Sequence, residues 1–258
     1  MDFGLTIIGL FVGFLVGLTG VGGAALLTPI LIFIGFNPSL AVGTDLVYNS
    51  ITKLFGAWQH LRQKTVQLKI ALFFAIGSIP GAVLAAVSLH WIDLYFGGAD
   101  EIIKKALGIV LVCIPLVMIV GRFLKKDKGS LNKWQVKDLQ DKRFLTISIG
   151  FGLGIIVGLT SIGSGSLFAI ALMYFFHLQG KDVVGTDIFH ALLLVTAAGL
   201  VHVQFGNVNF PVVFQLLIGS IPGVLMGSRL STRIPTFYLR VLISVLIMLS
   251  GIKLIDFI

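Results

Sequence analysis

Long apolar stretches alternate along the chain with short polar clusters, and the stretches are of membrane length. Six of them run over about 40–60, 69–90, 102–122, 183–204, 209–229 and 236–256. Each holds about the 20 residues that roughly 30 Å of hydrocarbon requires of a helix rising 1.5 Å per residue. Two further stretches, 4–35 and 144–178, are too long. As unbroken helices they would extend on the order of 50 Å. Each is interrupted by a glycine-rich segment, Gly17-Leu-Thr-Gly-Val-Gly-Gly23 and Gly158-Leu-Thr-Ser-Ile-Gly-Ser-Gly-Ser166. Glycine permits backbone angles that end a helix. The pattern predicts an all-α polytopic membrane protein. Each first segment is expected to be a re-entrant pair or a discontinuous helix, its break inside the membrane and its pieces too short to cross alone.

The stretches repeat. Ile76-Gly-Ser-Ile-Pro-Gly81 recurs letter for letter as Ile218 to Gly223, an offset of 142. The same offset carries Val42-Gly-Thr-Asp45 onto Val184-Gly-Thr-Asp187 and His60 onto His202. With one residue of slip, Val16-Gly-Leu-Thr19 falls on Val157-Gly-Leu-Thr160. Ordered matches at one offset mark an internal duplication. Repeat 1 covers 1–122, a basic linker 123–143, and repeat 2 covers 144–258.

Composition agrees with a membrane protein: 12% of residues are charged, 57% are hydrophobic, and mean hydropathy is +1.03. A soluble domain needs more polar surface than that. The net charge of +8 does not indicate nucleic acid, because eight of the nineteen Lys and Arg lie between Arg122 and Arg143 and most others sit at span ends. Basic residues in short loops mark the cytoplasmic side. Cys113 is the single cysteine, so no internal disulfide can form. Met1-Asp2-Phe3 lacks the basic start of a signal peptide, and the first segment is expected to belong to the mature fold.

Loop charge also predicts orientation. The loop after the second span of repeat 1 carries Arg62, Lys64 and Lys69, whereas its counterpart at 204–210 carries no charge. The next loop carries Asp93, Asp100 and Glu101 beside Lys104 and Lys105 in repeat 1, but Arg229 and Arg233 in repeat 2. The bias reverses, which predicts two inverted repeats around broken helices, a recurrent transporter plan. A parallel duplication of four plus four spans is the alternative.

Candidate chemistry gathers at the breaks. Backbone exposed by a break within the bilayer is tolerated only when buried or lining a cavity. The half-helix that follows turns free N–H groups and a partial positive charge toward that space, which suits an anion. The predicted binding residues are Thr19, Gly20, Gly22 and Gly23 in repeat 1, and Thr160, Ser161, Gly163, Ser164 and Ser166 in repeat 2. Small residues there would otherwise serve close helix packing. On the second span, Asp45, Asn49, Thr52, Lys53, Gly56 and His60 form one polar stripe at 3.6 residues per turn. Asn49 and Lys53 join the candidate site, since an ammonium near mid-span needs a counter-charge from another helix or from an anionic substrate. The competing reading is a structural salt bridge to Asp187 or Asp45.

Asp45 and Asp187 follow Gly-Thr at the expected first turn of their spans. They are read either as helix-start acids favoured by the dipole or, with His190, as proton-coupling groups. His60 and His202 are placed at the membrane interfaces. No spacing of His, Cys and acids suits a metal, and no cofactor is expected. A serine hydrolase built on Ser164 with His177 or His190 is the rival from another class, although no Gly-x-Ser-x-Gly elbow is present.

The ordered set of motifs resembles the sulfite exporter TauE/SafE family of bacterial transporters. It comprises Gly17 to Pro29, Ala41 to Asp45, Gly77 to Gly81, Gly158 to Ser166, Val184 to Asp187, Gly206-Asn-Val208 and Gly219 to Gly223. Nearly the whole chain is covered. The resemblance implies a bacterial inner-membrane carrier that exports a small sulfur-containing anion, such as sulfite or an organosulfonate. Proton coupling is a further expectation, an anion channel the alternative, and the expected partners are that anion and the lipid bilayer. This chain departs from the family in setting Asp45 and Asp187 after Gly-Thr, and its two breaks differ from each other.

Overall fold

In the computed structural model, the residues described are 3–19, 24–123, 133–176, 178, 180–231 and 236–256. Among them all regular structure is helical: α1 Phe3–Thr19, α2 Ala24–Phe33, α3 Pro38–Arg62, α4 Leu68–Phe96, α5 Ala99–Phe123, α6 Lys133–Val136, α7 Arg143–Thr160, α8 Leu167–Phe175, α9 Gly180–Gln204, α10 Phe210–Ser231 and α11 Thr236–Asp256. The spans expected from hydropathy correspond to α3, α4, α5, α9, α10 and α11. Both long first segments are interrupted as expected, between α1 and α2 and between α7 and α8. The four-residue α6 within the linker is an addition to the expected elements.

Among the described residues four helices, α4, α7, α9 and α10, are long and apolar enough to cross a membrane. α3 is as long as α9, at 25 residues, but its polar stripe dilutes its apolarity. α7 corrects the expectation that both pieces of a broken segment are too short to span. Its 18 residues reach the length of a span, whereas the nine of α8 do not. Outward faces are apolar, as lipid requires: Ile76 and Ile218, the first residues of the two identical motifs, are both more than half exposed. Near one helix end the Arg62 guanidinium lies 3.8 Å over the Trp58 ring, an arrangement suited to the headgroup layer.

Glycine stripes set the packing. Gly150, Gly154 and Gly158 of α7 meet the backbone of Phe74, Ser78 and Ala82 of α4 in the same order, so these helices run parallel. Gly9 and Gly13 of α1 meet Leu216 and Ser220 of α10 in the same way. Contacts this close exclude even a methyl group, the usual device for tight helix pairs in lipid. Each first helix thus packs on the third span of the other repeat. The second spans pair directly: Gly43 meets His202, Gly56 meets Ile188, and Gly199 meets Leu46 and Val47. The order is reversed, so α3 and α9 run antiparallel.

Directions at the breaks follow. Phe168, at the start of α8, lies against His190, well into α9, although α8 ends just before α9 begins. α8 is therefore antiparallel to α9. α9 is parallel to α4, since Gln67, Ser78 and His90 meet Thr186, His190 and Phe205 in turn. α7 shares that direction, so the chain turns back between α7 and α8. Repeat 1 does the same: α2 is antiparallel to α3, while α1 and α10 run with α3. Of the two arrangements left open by the sequence, both first segments are re-entrant pairs.

The remaining motifs lock the repeats together. Thr44 Oγ1 accepts the Asn209 N–H at 3.0 Å, and Thr186 Oγ1 accepts the Gln67 N–H at 3.0 Å. Gly43 and Gly185 leave room for the Asn207 and Thr65 carbonyls beside them. The helix starts of one repeat are thereby satisfied by the hydroxyls of the other. At the start of α3, Asp100 Oδ1 accepts from the Ser39 N–H and hydroxyl at 3.0 and 2.8 Å. Outside the spans, burial lowers the Lys142 pKa from the usual lysine value; its ammonium donates to the Trp134 and Phe175 carbonyls at 2.7 and 3.1 Å. The second bond satisfies the C-terminal end of α8 and ties the linker to it.

Candidate functional site

The loop 161–166 between α7 and α8 runs alongside α3. It begins at Ser161, whose φ of 61° ends α7 in the left-handed region, and passes Gly163 at φ 102°, where only glycine is unstrained. Ser161 Oγ donates to Asp45 Oδ2 at 2.6 Å. Three residues on, Ser164 Oγ lies 3.1 Å from the Lys53 ammonium, and the Ser164 carbonyl lies 3.5 Å from it. Asp45 and Lys53 are two turns of α3 apart, about 12 Å by helical rise.

Asp45 is fully buried and held by three side chains. Thr28 Oγ1 donates to Oδ2 at 2.8 Å beside Ser161, and Asn49 Nδ2 donates to Oδ1 at 2.8 Å and to the Asp45 carbonyl at 2.9 Å. The carboxylate thereby gathers α2, α3 and the second break around one point. Thr28 carried no signal in the sequence that singled it out. Lys53 is different. No carboxylate oxygen lies within 4.0 Å of its ammonium among the described residues, although Asp187 and Asp45 are both within electrostatic reach. Its hydrogen-bond acceptors are two neutral oxygens of Ser164, so the expected alternative of a structural salt bridge is not formed.

Asp187 is buried at 6% exposure, and its Oδ1 has no hydrogen-bond partner. His190, one turn on, places Nε2 2.8 Å from Ser78 Oγ, while its Nδ1 has no partner. Ser78 belongs to the first Ile-Gly-Ser-Ile-Pro-Gly motif. Its counterpart Ser220 bonds Tyr48, which stands in repeat 1 where His190 stands in repeat 2. Phe168 completes this layer, its ring centroid 4.0 Å from that of His190.

Several expectations change at this level. Asp45 and Asp187 are not helix-start acids. α3 begins at Pro38 and α9 at Gly180, which puts both carboxylates two turns inside their helices. The Thr160 hydroxyl donates to the Ile156 carbonyl at 2.7 Å and accepts the Ile162 N–H at 3.2 Å, closing the end of α7. Asn49 is committed to Asp45. His202 lies in the last turn of α9 and is enclosed in the protein at 2% exposure, its Cβ against Gly43 of α3. Ser164 is bound to Lys53 rather than to His190, which removes the serine–histidine pair proposed between them; His177 lies outside the described residues. Ser166 starts α8 without a side-chain capping bond. Thr19 stands at the end of α1, its side chain not described, and Gly20, Gly22 and Gly23 also lie outside the described residues.

The fold and this interior define the class: a multi-pass, all-helical membrane protein with charged and hydroxyl groups enclosed between its second spans and a re-entrant loop. The chain belongs to the sulfite exporter TauE/SafE family, whose pattern matches residues 5–254. Among its relatives, "Probable membrane transporter protein YjnA" of Bacillus subtilis is 56% identical over 255 residues, covering 99% of this chain and all of that protein. YunE of the same organism, also described as a probable membrane transporter protein, is 26% identical over 97% of this chain and 96% of its own length. MJ0441 of Methanocaldococcus jannaschii, with the same description, is 25% identical over 96% of this chain and 93% of its own length. No solved structure matches the chain. Family and relatives alike indicate a membrane transporter rather than an enzyme.

Proposed function

We propose that the protein is a secondary transporter that exports a small sulfur-containing anion, sulfite or an organosulfonate, and that the anion binds between Lys53 and the second break. One observation carries the reading. The Lys53 ammonium, inside a membrane span, is bound by the neutral oxygens of Ser164 and by no carboxylate among the described residues. A cation so placed has the Asp187 and Asp45 carboxylates within electrostatic reach but none in direct contact, and an oxyanion would supply that contact. The Ser164 hydroxyl and the start of α8, not capped by Ser166, bring further donors to the same loop, whereas the Ser161 hydroxyl is spent on Asp45. The family's description as sulfite exporters supports the choice of anion.

We read the two repeats as inverted, and the antiparallel course of the equivalent helices α3 and α9 supports this. A carrier so built alternates its site between the two faces. Ser161, Ser164 and Asp45 are buried and Lys53 is half-buried, so full access of a substrate to the loop needs the surrounding helices to move. Counterflow decides the function. Proteoliposomes loaded with unlabelled sulfite, thiosulfate or isethionate should transiently accumulate the same labelled anion. A channel equilibrates without overshoot, and indifference to every anion of the panel defeats the reading.

A further inference from the structure

The duplication places two carboxylates at equivalent points and then treats them differently. Asp45 accepts bonds from Thr28, Asn49 and Ser161. The same positions in the other repeat hold Ile170, Ala191 and, with the one-residue slip at the breaks, Gly20, none of which has a side-chain donor. Asp187 is left with Oδ1 buried and without a hydrogen-bond partner. The charged group that faces it is Lys53, from α3. α4 brings in Ser78, which is taken by His190, and α8 brings in Phe168 against the His190 ring. Its neighbour Thr186 spends its hydroxyl on the Gln67 N–H. A carboxylate charge there is supported by Lys53 and by no hydrogen bond to Oδ1.

We propose that Asp187 takes up one proton together with each anion bound at Lys53, so that proton and anion cross in the same direction; this rests on the anion site proposed above. While Asp187 is ionised, two buried carboxylates share the positive potential of Lys53. An anion entering beside Ser164 then adds a third negative charge to a largely buried space. Protonation of Asp187, which converts its free oxygen to a hydroxyl, removes one of them. Proton and anion therefore favour each other's binding, and the linkage is reciprocal. Asp45 is unsuited to the task, because its hydrogen-bond donors all stabilise the ionised form. His190 is unsuited as well, because a second positive charge would stand within electrostatic reach of Lys53. For a monoanion, the empty and the doubly loaded sites carry the same charge. Membrane voltage then does not drive the cycle: the anion gradient and the pH difference together set its direction, and each anion exported carries a proton out.

Isethionate and thiosulfate are suitable probes, because neither takes up nor releases protons near neutral pH. Adding either to the purified protein in weakly buffered detergent solution should remove about one proton from solution per anion bound. In proteoliposomes containing a pH-sensitive dye, an inward anion gradient should acidify the lumen. Asp187→Asn should bind the anion without proton uptake, and its affinity should stay constant over pH 5–9, where that of the parent falls about tenfold. Binding and counterflow without proton movement in the parent protein overturn this inference alone, as does undiminished proton uptake in Asp187→Asn. The measurement on the parent needs no variant, so a poorly folding mutant does not rescue the idea. Failure of binding and counterflow with every anion removes the transport reading, and this inference with it.

Discussion

Asp45 and Asp187 end the same Val-Gly-Thr-Asp motif 142 residues apart, and their surroundings differ in hydrogen-bond donors. Around both, the framework is the same. The threonine before each takes a backbone N–H from the opposite repeat, at 3.0 Å in both cases, and the glycine before that admits a carbonyl. One turn along, Tyr48 and His190 each meet the serine of an Ile-Gly-Ser-Ile-Pro-Gly motif. Yet Asp45 is saturated by three side chains, whereas Asp187 has a bare oxygen and faces a lysine that touches it nowhere. The recurring motifs share what holds the helices together and differ in the hydrogen bonds offered to the two interior acids. A symmetric scaffold with an asymmetric interior is the central feature of this molecule.

That contrast can be attacked at several points. The largest effect should come from the shared scaffold, where the repeats are expected to behave alike. Gly77→Val and Gly219→Val each drive a side chain into the backbone of the opposing helix, at Ile147 and Thr6 respectively. Each should destabilise the protein by about 3 kcal/mol or prevent folding, as overpacking does. Thermal melting in detergent should show similar losses for the two, and a strong inequality would break the symmetry of the scaffold.

The two acids should then part company. Asp45→Ala abandons the Thr28, Asn49 and Ser161 donors in a buried place, at a cost of about 2–3 kcal/mol. Asp187→Ala abandons no hydrogen bond at Oδ1 and should melt within about 1 kcal/mol of the parent. Equal melting losses would mean that the hydrogen-bond asymmetry carries no energetic weight.

Orientation sharpens the comparison without a stability readout. In a Cys113→Ala background, single cysteines in the 61–68 and 205–209 loops should react with a membrane-impermeant maleimide from opposite faces. Labelling from one face alone would make the duplication parallel. The smallest effect is expected at Lys142→Met, which loses two ammonium–carbonyl bonds at the edge of the fold. A loss of about 1 kcal/mol should appear in melting, with anion counterflow retained.

Much of the fold was legible because hydropathy and repetition are properties of the chain itself. The six regular spans, the two interruptions and the offset of 142 needed no coordinates. The helix starts did not yield so easily. Gly43-Thr-Asp45 looks like a capping sequence, but Pro38 begins α3 earlier because Asp100 of α5 satisfies its N-terminus. The polar stripe sets Asp45, Asn49 and Lys53 along one face of α3; Asn49 bonds Asp45, and Lys53 bonds Ser164. Which of them is free and which is spent depends on partners more than a hundred residues away, such as Ser161 and Ser164, and no local pattern encodes that. Thr28 and Ser78 were illegible as site residues for the same reason. Each lies in an ordinary apolar helix, and only tertiary packing aims its hydroxyl inward.

Lys53→Met tests the account most directly, because methionine preserves the length and apolar stem of the side chain while removing the charge. Anion affinity and melting are to be measured on the same purified variant, with sulfite, thiosulfate and isethionate as probes. Affinity should weaken by at least about tenfold, the equivalent of 1.4 kcal/mol, with melting close to that of the parent. Early melting with unaltered affinity would contradict it, by making Lys53 a structural counter-charge for the buried acids rather than the seat of the anion.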